Sequence, residues 1–339
     1  NADGFPKIAN WSRTVTHRLT SGRIRSITRH IYDLPTLPTT VARMIEVIDQ
    51  PSTSASTLAK IISSDQVLTA QILKLANSAY YGFPRRINTI TLAIVVLGFE
   101  TLKNLVLSVS VIDGFSRYQH SMPFDVHLFW EHAIATGLGS RMIAREAGYQ
   151  IAGEAFAAGL LHDIGKYVMS LHFKTSFERI VNRMIDEDLP MFVIEEQELD
   201  GVNHAHVGAW LIEKWNLPEQ IVQAVQFHHN LDQRESGEKL AAIIHFADYL
   251  AKKLGVGYSG DMSTPSFDED VIPELGLKKD GNGRLKEAEY LERFKQEIEA
   301  EHSLFAVARH HQEFAQSPKL PASLHRRNYA TTEDTFSEH

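Results

Sequence analysis

Apolar residues recur at three- and four-residue spacing along almost the whole chain, and long β-branched runs at period two are missing. That spacing lines one face of a 3.6-residue helix, so the fold expected is all-α. Proline, glycine and short polar residues divide the pattern. Pro35 and Pro38 precede a helix in which Val41, Met44, Ile45 and Ile48 share a face, and Pro51 ends it. Ser56 or Thr57 opens a second helix with Leu58, Ile61 and Ile62 inward, and a third runs from about Val67 to Ala76. Thr89 is placed to cap a helix over 90–97, Gly98 interrupts, and FETLKNLVLSVSVI continues. These short helices make a compact lobe, residues 31–118, behind an N-terminal arm, 1–30, that carries Arg13, Arg18, Arg23, Arg25 and Arg29.

Longer helices follow and define a second helical domain over residues 119–256. MPFDVHLFWEHAIATGLGSRMIAREAG starts at a cap on Asp125 and closes at Gly148. GEAFAAGLLHDIGKYVMSLHF reads as one helix, apolar on nearly every side of its first half, which marks a central buried element. After Gly257 the chain becomes acidic and rich in Gly, Pro and Ser, the character of a surface excursion or linker. A charged amphipathic helix follows from about residue 284. Its Glu287 and Glu289, near Arg293 and Lys295, read as a solvated face, and the helix as a whole is expected to help the module pack or dimerise. The last twenty residues read as disordered, so 257–339 is expected to be linker, helix and tail.

Composition removes several function classes. The chain has 339 residues and no cysteine, which excludes disulfides, thiolate metal sites, iron–sulfur clusters and thiol nucleophiles. No apolar run approaches the ~20 residues of a membrane span, and the start lacks the basic-then-apolar order of a signal peptide. A cytoplasmic setting is expected. A net charge of -8 gives no broad attraction to nucleic acid or membrane.

The stretch GLLHDIGKY puts His162, Asp163 and Lys166 into a segment that heads for the core. Burying unpaired charge costs several kcal/mol, so something must compensate it. His132, His204, His228, His229 and Asp248 each lie on or beside an apolar helical face elsewhere in the second domain. Taken singly, a histidine on an apolar face is more often a core residue bonded to a carbonyl, and His172, His206 and His245 keep that reading. Taken together, the set fits one or two divalent cations, which accept imidazole lone pairs and neutralise a carboxylate. Histidine and aspartate without cysteine suit Fe, Mn, Zn, Co or Ni. Asp163 can share one cation with His162 or bridge two. Lys166, four residues after His162, would rise on the same helix face, to contact a phosphate or to reach the surface.

The order His132 … His162-Asp163 … Asp248 resembles the signature of the HD superfamily of metal-dependent phosphohydrolases. The closer resemblance is to the HDOD family, a relative of the HD-GYP phosphodiesterases, over about residues 31–256. It is carried in the first lobe by LPTLPTTVARMIEVIDQP, LAKIISSDQVLTAQILKLANSAYYG and INTITLAIVVLGFETLKNLVL, and in the second by HAHVGAWLIEKWNLPEQIVQAVQFHH and HFADYLAKKLG. The resemblance implies that His204, with Gly208, supplies a ligand from an H-x-x-x-G element. It implies that His228 and His229 are the paired histidines, and that Lys166 is the lysine of HDIGK. NLDQRESGEK follows the pair where a GYP loop would stand, and Leu128 stands where some HD-GYP proteins carry a Glu ligand. The function implied is therefore a signalling module with a protein partner and an HD-type metal site. The alternative is a phosphohydrolase that uses Asp163 and Lys166 on a nucleotide or cyclic dinucleotide. Oxygen chemistry at a di-iron site is a third, minor reading.

Overall fold

The computed structural model describes residues 53–77, 86–116, 124–149, 152–187, 189–233, 239–261, 267–301 and 304–310, and only isolated positions before them. The helix expected over Val41–Ile48, most of the N-terminal arm and the last twenty residues lie outside the described residues. Among the described residues every extended element is a helix, and β pairing is limited to isolated bridge positions at Val256 and between Lys279 and Leu285. None of these helices is long and apolar enough to cross a membrane.

Local chemistry accounts for the helix starts. Helix α1 (Ala55–Ser63) is capped by Ser54, whose hydroxyl accepts from the Thr57 amide, rather than by Ser56 or Thr57 themselves. Asp65 caps α2 (Gln66–Ala76) and Thr89 caps α3 (Ile90–Leu97). Gly98, at φ 87°, turns the chain directly into α4 (Phe99–Ser116). The carboxylate of Asp125 accepts from the amides of His127 and Leu128 and starts α5 (Val126–Glu146), which is buried over most of its length.

The segment expected as a single central helix is two. Helix α6 (Ala152–Leu161) ends before His162, and α7 (Ile164–His172) begins after Asp163. Asp163, at φ -98° and ψ 4°, breaks the helix, so His162 and Asp163 sit in a turn inside the bundle. Uniformly apolar flanks gave no periodic signal of that break. Around this turn stand α8 (Lys174–Asp186), α9 (Met191–Glu198), α10 (His204–Lys214), α11 (Glu219–Phe227) and α12 (Lys239–Leu254).

Two glycine contacts set how close the ligand-bearing helices come. A Cβ on Gly159 of α6 would meet Thr136 O of α5 at 2.7 Å, and one on Gly165 of α7 would meet His204 O of α10 at 1.9 Å. Backbone therefore lies against backbone at both interfaces. The buried apolar residues form one continuous cluster from Ile31 to Ala308. The first lobe joins the second through it, since the Tyr167 hydroxyl donates to Phe115 O at 3.0 Å and both rings pack against Trp130.

Beyond α12 the chain differs from the expected linker. Val256, Gly257, Tyr258, Ser259, Gly260 and Asp261 are buried. The Tyr258 amide donates to Leu128 O of α5 at 2.8 Å. Gly257, at φ 65°, leaves no room for a Cβ, which would meet His132 N at 2.3 Å. Composition made this segment look solvated, but its small residues let it press against α5. After α13 (Val271–Leu275), α14 (Glu287–Ala300) lays Tyr290, Phe294 and Ile298 onto the bundle. Its charges pair across elements rather than along one exposed face. Arg293 binds Glu146, Glu289 binds Lys278, and Glu297 and Glu301 flank the buried Arg141 at 2.7 and 3.1 Å. The expected long helix breaks after Ala300 and resumes as α15 (Phe305–His310).

Candidate metal centre

Six elements deliver the seven residues proposed as ligands to one point. His132 projects from α5, His162 and Asp163 from the α6–α7 turn, and His204 from the first residue of α10. His228 and His229 follow the end of α11, and Asp248 comes from the middle of α12. All are buried except His229, which is half-buried and stacked on Phe192.

The donor atoms fall into two groups, in each of which they lie within 4.8 Å of one another. One holds His132, His162 and Asp248; the other holds Asp163, His204, His228 and His229. Asp163 stands between them. Its Oδ2 is 3.3 Å from His162 Nε2 and 4.0 Å from His132 Nε2, whereas its Oδ1 is 3.1 Å from His204 Nε2 and 4.0 Å from His228 Nε2. Asp248 Oδ1 lies 3.0 Å from His132 Nε2 and 3.6 Å from His162 Nε2.

Outer hydrogen bonds decide which nitrogen faces inward. Nδ1 of His162 contacts Gly159 O at 2.7 Å, and Nδ1 of His228 contacts Val225 O at 2.7 Å. Nδ1 of His204 contacts Glu195 Oε2 at 2.6 Å. A carbonyl or carboxylate oxygen can only accept, so each Nδ1 is the protonated nitrogen and each Nε2 presents a lone pair to the centre. Those lone pairs point at carboxylate oxygens and at each other, with His229 Nε2 2.9 Å from His204 Nε2. His162 Nε2, His228 Nε2, Asp163 Oδ1 and Asp248 Oδ1 are buried with no hydrogen-bond donor. Acceptor against acceptor in a dry interior is costly. A divalent cation removes the conflict, so the donor set fits one.

The electrostatics agree. Burial alone would raise both aspartates. Instead His162 and Lys166 hold Asp163 well below the usual carboxylate range, and Lys252, His132 and His162 do the same for Asp248. Burial, helped by neighbouring imidazoles, pushes His228 and His229 well below the ordinary imidazole value and also lowers His132. His162 goes the other way: burial opposes its charge, yet Asp163 and Asp248 raise it to about 9. The carboxylates thus draw positive charge into the cluster, as a proton on His162 or as a cation.

The ammonium of Lys166 is buried rather than at the surface, and it donates at 2.7 Å to Asp163 Oδ2, the same oxygen that lies 3.3 Å from His162 Nε2. His206 closes a capping box with Asn203, and His245 contacts His228 O at 2.9 Å, so both lie outside the donor groups. Three site residues had no distinctive sequence signal. Glu195 is fully buried and accepts from both the amide and the ring of His204. Lys252 donates to Asp248 Oδ2 at 2.9 Å, with Asp261 Oδ2 3.9 Å from the same ammonium. Only a charged group on an otherwise apolar helix face could have drawn attention to Glu195 or Lys252.

Comparisons with known proteins follow the same line. An uncharacterized protein of Treponema pallidum is 31% identical over 231 residues, which cover 68% of this chain and 44% of that protein. The chain thus spans under half the length of this curated relative. A candidate signal-transduction protein of Marinobacter aquaeolei has the same fold, with a TM-score of 0.72, 22% identity and coverage of 89% of this chain and 68% of that one. A candidate phosphohydrolase of Shewanella amazonensis gives a TM-score of 0.63 at 22% identity, covering 85% of this chain and 97% of that one. The family model for the HDOD domain matches residues 34–231, more than half of the chain and the part that carries six of the seven gathered side chains, all but Asp248. A helical lobe, a buried His-Asp turn and that match together place the chain in the HDOD domain family.

Proposed function

We propose that this chain is an HDOD signalling module that keeps an HD-type centre for two divalent cations. One observation carries the reading: the two oxygens of Asp163 face different sets of imidazoles, the arrangement a bridging carboxylate needs. His132, His162 and Asp248 would hold one cation, and His204, His228 and His229 the other, with Asp163 shared. Bound there, such ions would supply Lewis acidity and lower the pKa of a coordinated water. The protein's own part is to fix the imidazoles through Gly159, Val225 and Glu195, to tether the carboxylates through Lys166 and Lys252, and to exclude water. Burial supports a regulatory over a catalytic role, since His162, His204 and His228 are 0% exposed and Asp163 and Lys166 1%. A protein partner is supported by the first lobe, where Val67 and Val95 are 66% and 75% exposed.

The second reading is a phosphohydrolase acting on a nucleotide or cyclic dinucleotide. It is favoured by an ammonium, Lys166, beside the bridging carboxylate, where it could balance charge on a phosphoryl group. Metal analysis of the purified chain tests the centre. Wild type should carry divalent metal that His162→Ala and Asp163→Ala lose, and equal, near-zero metal in all three would remove the proposal. A panel of nucleotides and cyclic dinucleotides with added Mn²⁺ or Fe²⁺ separates the readings: turnover abolished by Asp163→Ala establishes the enzyme, and no turnover leaves the signalling module.

A further inference from the structure

The centre is walled in on several sides by close packing. Backbone contact at Gly165 and at Gly159 seals α7 against α10 and α6 against α5. Residues 256–261 close a further side. A Cβ on Gly257 would meet His132 N at 2.3 Å, one on Gly260 would stand 4.0 Å from Lys166 Cδ, and Asp261 Oδ2 lies 3.9 Å from Lys252 Nζ. These residues are themselves buried, and the Tyr258 amide fixes them to Leu128 O. The His229 side is different. Of the seven donors, His229 is the one that is half-buried rather than buried, and Phe192, Glu196 and Asn230 around it are half-buried as well. The Glu196 carboxylate accepts from Asn203 at 2.7 Å and bonds Asn230, which puts a negative charge where the site nears water and draws cations to that side. The Phe192 ring lies flat on the His229 imidazole, with centroids 4.6 Å apart and planes 10° from parallel. A phenyl ring has no polar atom, so it can change rotamer without breaking a hydrogen bond.

We infer that His229 and Phe192 form the entrance to the centre: divalent cations pass on the His229 side, and the Phe192 ring is the gate that sets how fast they exchange. This rests on the two-cation reading above and deepens it. His229 is the donor that can swing out, since the others are held behind it by buried backbone and side-chain contacts. Phe192 covers the face of the imidazole, whereas the lone pair of Nε2 lies in the plane of the ring. Phe192 therefore controls the rate of passage and leaves the strength of the filled centre to the donors. The module would then hold its ions for a time set by one exposed-side ring.

The test is stopped-flow release of Zn²⁺ from the loaded full chain into excess chromogenic chelator, with uptake by the stripped chain and equilibrium affinity measured on the same samples. Phe192→Ala should speed release and uptake alike by about ten-fold, the rate equivalent of one lost stacked ring pair, and leave affinity unchanged. Phe192→Trp, which keeps a stacked ring, should exchange at the wild-type rate or more slowly. Tyr258→Ala, which loosens residues 256–261 on the closed side, should leave both rates as in wild type. Circular dichroism checks each fold, and Phe192→Leu, with a smaller acceleration, replaces Phe192→Ala if that variant does not fold. Unchanged rates in the Phe192 variant, or an equal or larger acceleration by Tyr258→Ala, would overturn the entrance. An affinity that falls by the factor by which release rises would make Phe192 a support for His229 and overturn the gate. Each of these leaves the two-cation reading standing. A wild-type chain that takes up no Zn²⁺ would overturn that reading and this inference with it.

Discussion

Replacing Gly165 by alanine adds one methyl group at the tightest contact between α7 and α10. The new Cβ would stand 1.9 Å from His204 O, 2.7 Å from Gly208 N and 2.8 Å from His204 C, all of them backbone atoms. An ordinary contact begins near 3.4 Å, so the helices must part by roughly 1.5 Å. No flexible side chain can absorb that shift. Overpacking typically costs about 1–3 kcal/mol, and two rigid backbones put this case at or above the upper figure, about 3 kcal/mol. With a urea m-value of about 3 kcal/mol/M, the midpoint should fall by about 1 M. The same displacement pulls His204 Nε2 from its place 3.1 Å from Asp163 Oδ1, so metal content should fall with stability. Urea unfolding followed by circular dichroism, with metal analysis of the same samples, reads both. Gly165→Ala within 0.5 kcal/mol of wild type and with full metal would refute the claim that backbone contact at Gly165 sets the geometry of the centre.

Other outcomes follow from separate parts of the molecule. Phe294→Ala should cost about 3–5 kcal/mol in denaturant unfolding, because the ring is fully buried and packs against Gly139. Arg141→Met should cost about 2 kcal/mol, less than a wholly buried pair would, since Glu297 and Glu301 keep 21% and 13% of their side-chain exposure. Gly257→Ala combines a left-handed φ with a clash at His132 N and should lower the thermal midpoint in a calorimetric scan by several degrees. Chelator should destabilise the wild-type chain by up to about 4 kcal/mol if metal is present at about a thousand times its dissociation constant, and should leave Asp163→Asn unchanged.

Much of this could be read from the residues. Helical spacing located α2 to α5, and the caps at Thr89 and Asp125 stand where short polar side chains precede an apolar run. The gathering of seven scattered residues was legible as a charge problem: Asp163 and Asp248 on apolar faces needed a cation. What periodicity could not show is the break at His162, because a helix apolar on every side looks the same whether or not it turns. Nor could it show that the Lys166 ammonium is buried on the carboxylate of Asp163. Glu195, Lys252 and Asp261 act through partners distant in sequence, and no local pattern marks such a contact. The acidic stretch after Gly257 misled because composition reports average polarity, whereas burial there depends on small residues fitting against α5.

The position of Asp248 also fixes where this protein can be cut. The stretch that identifies the family stops at residue 231, yet the last carboxylate of the centre arrives on α12, which packs against α5 beyond that limit. A fragment trimmed to the recognisable signature would keep six of the donors and expose the apolar flank that α12 covers. Any domain transplant or crystallisation fragment therefore needs its right-hand border after α15, because α14 and α15 still pack against the ligand helix α5.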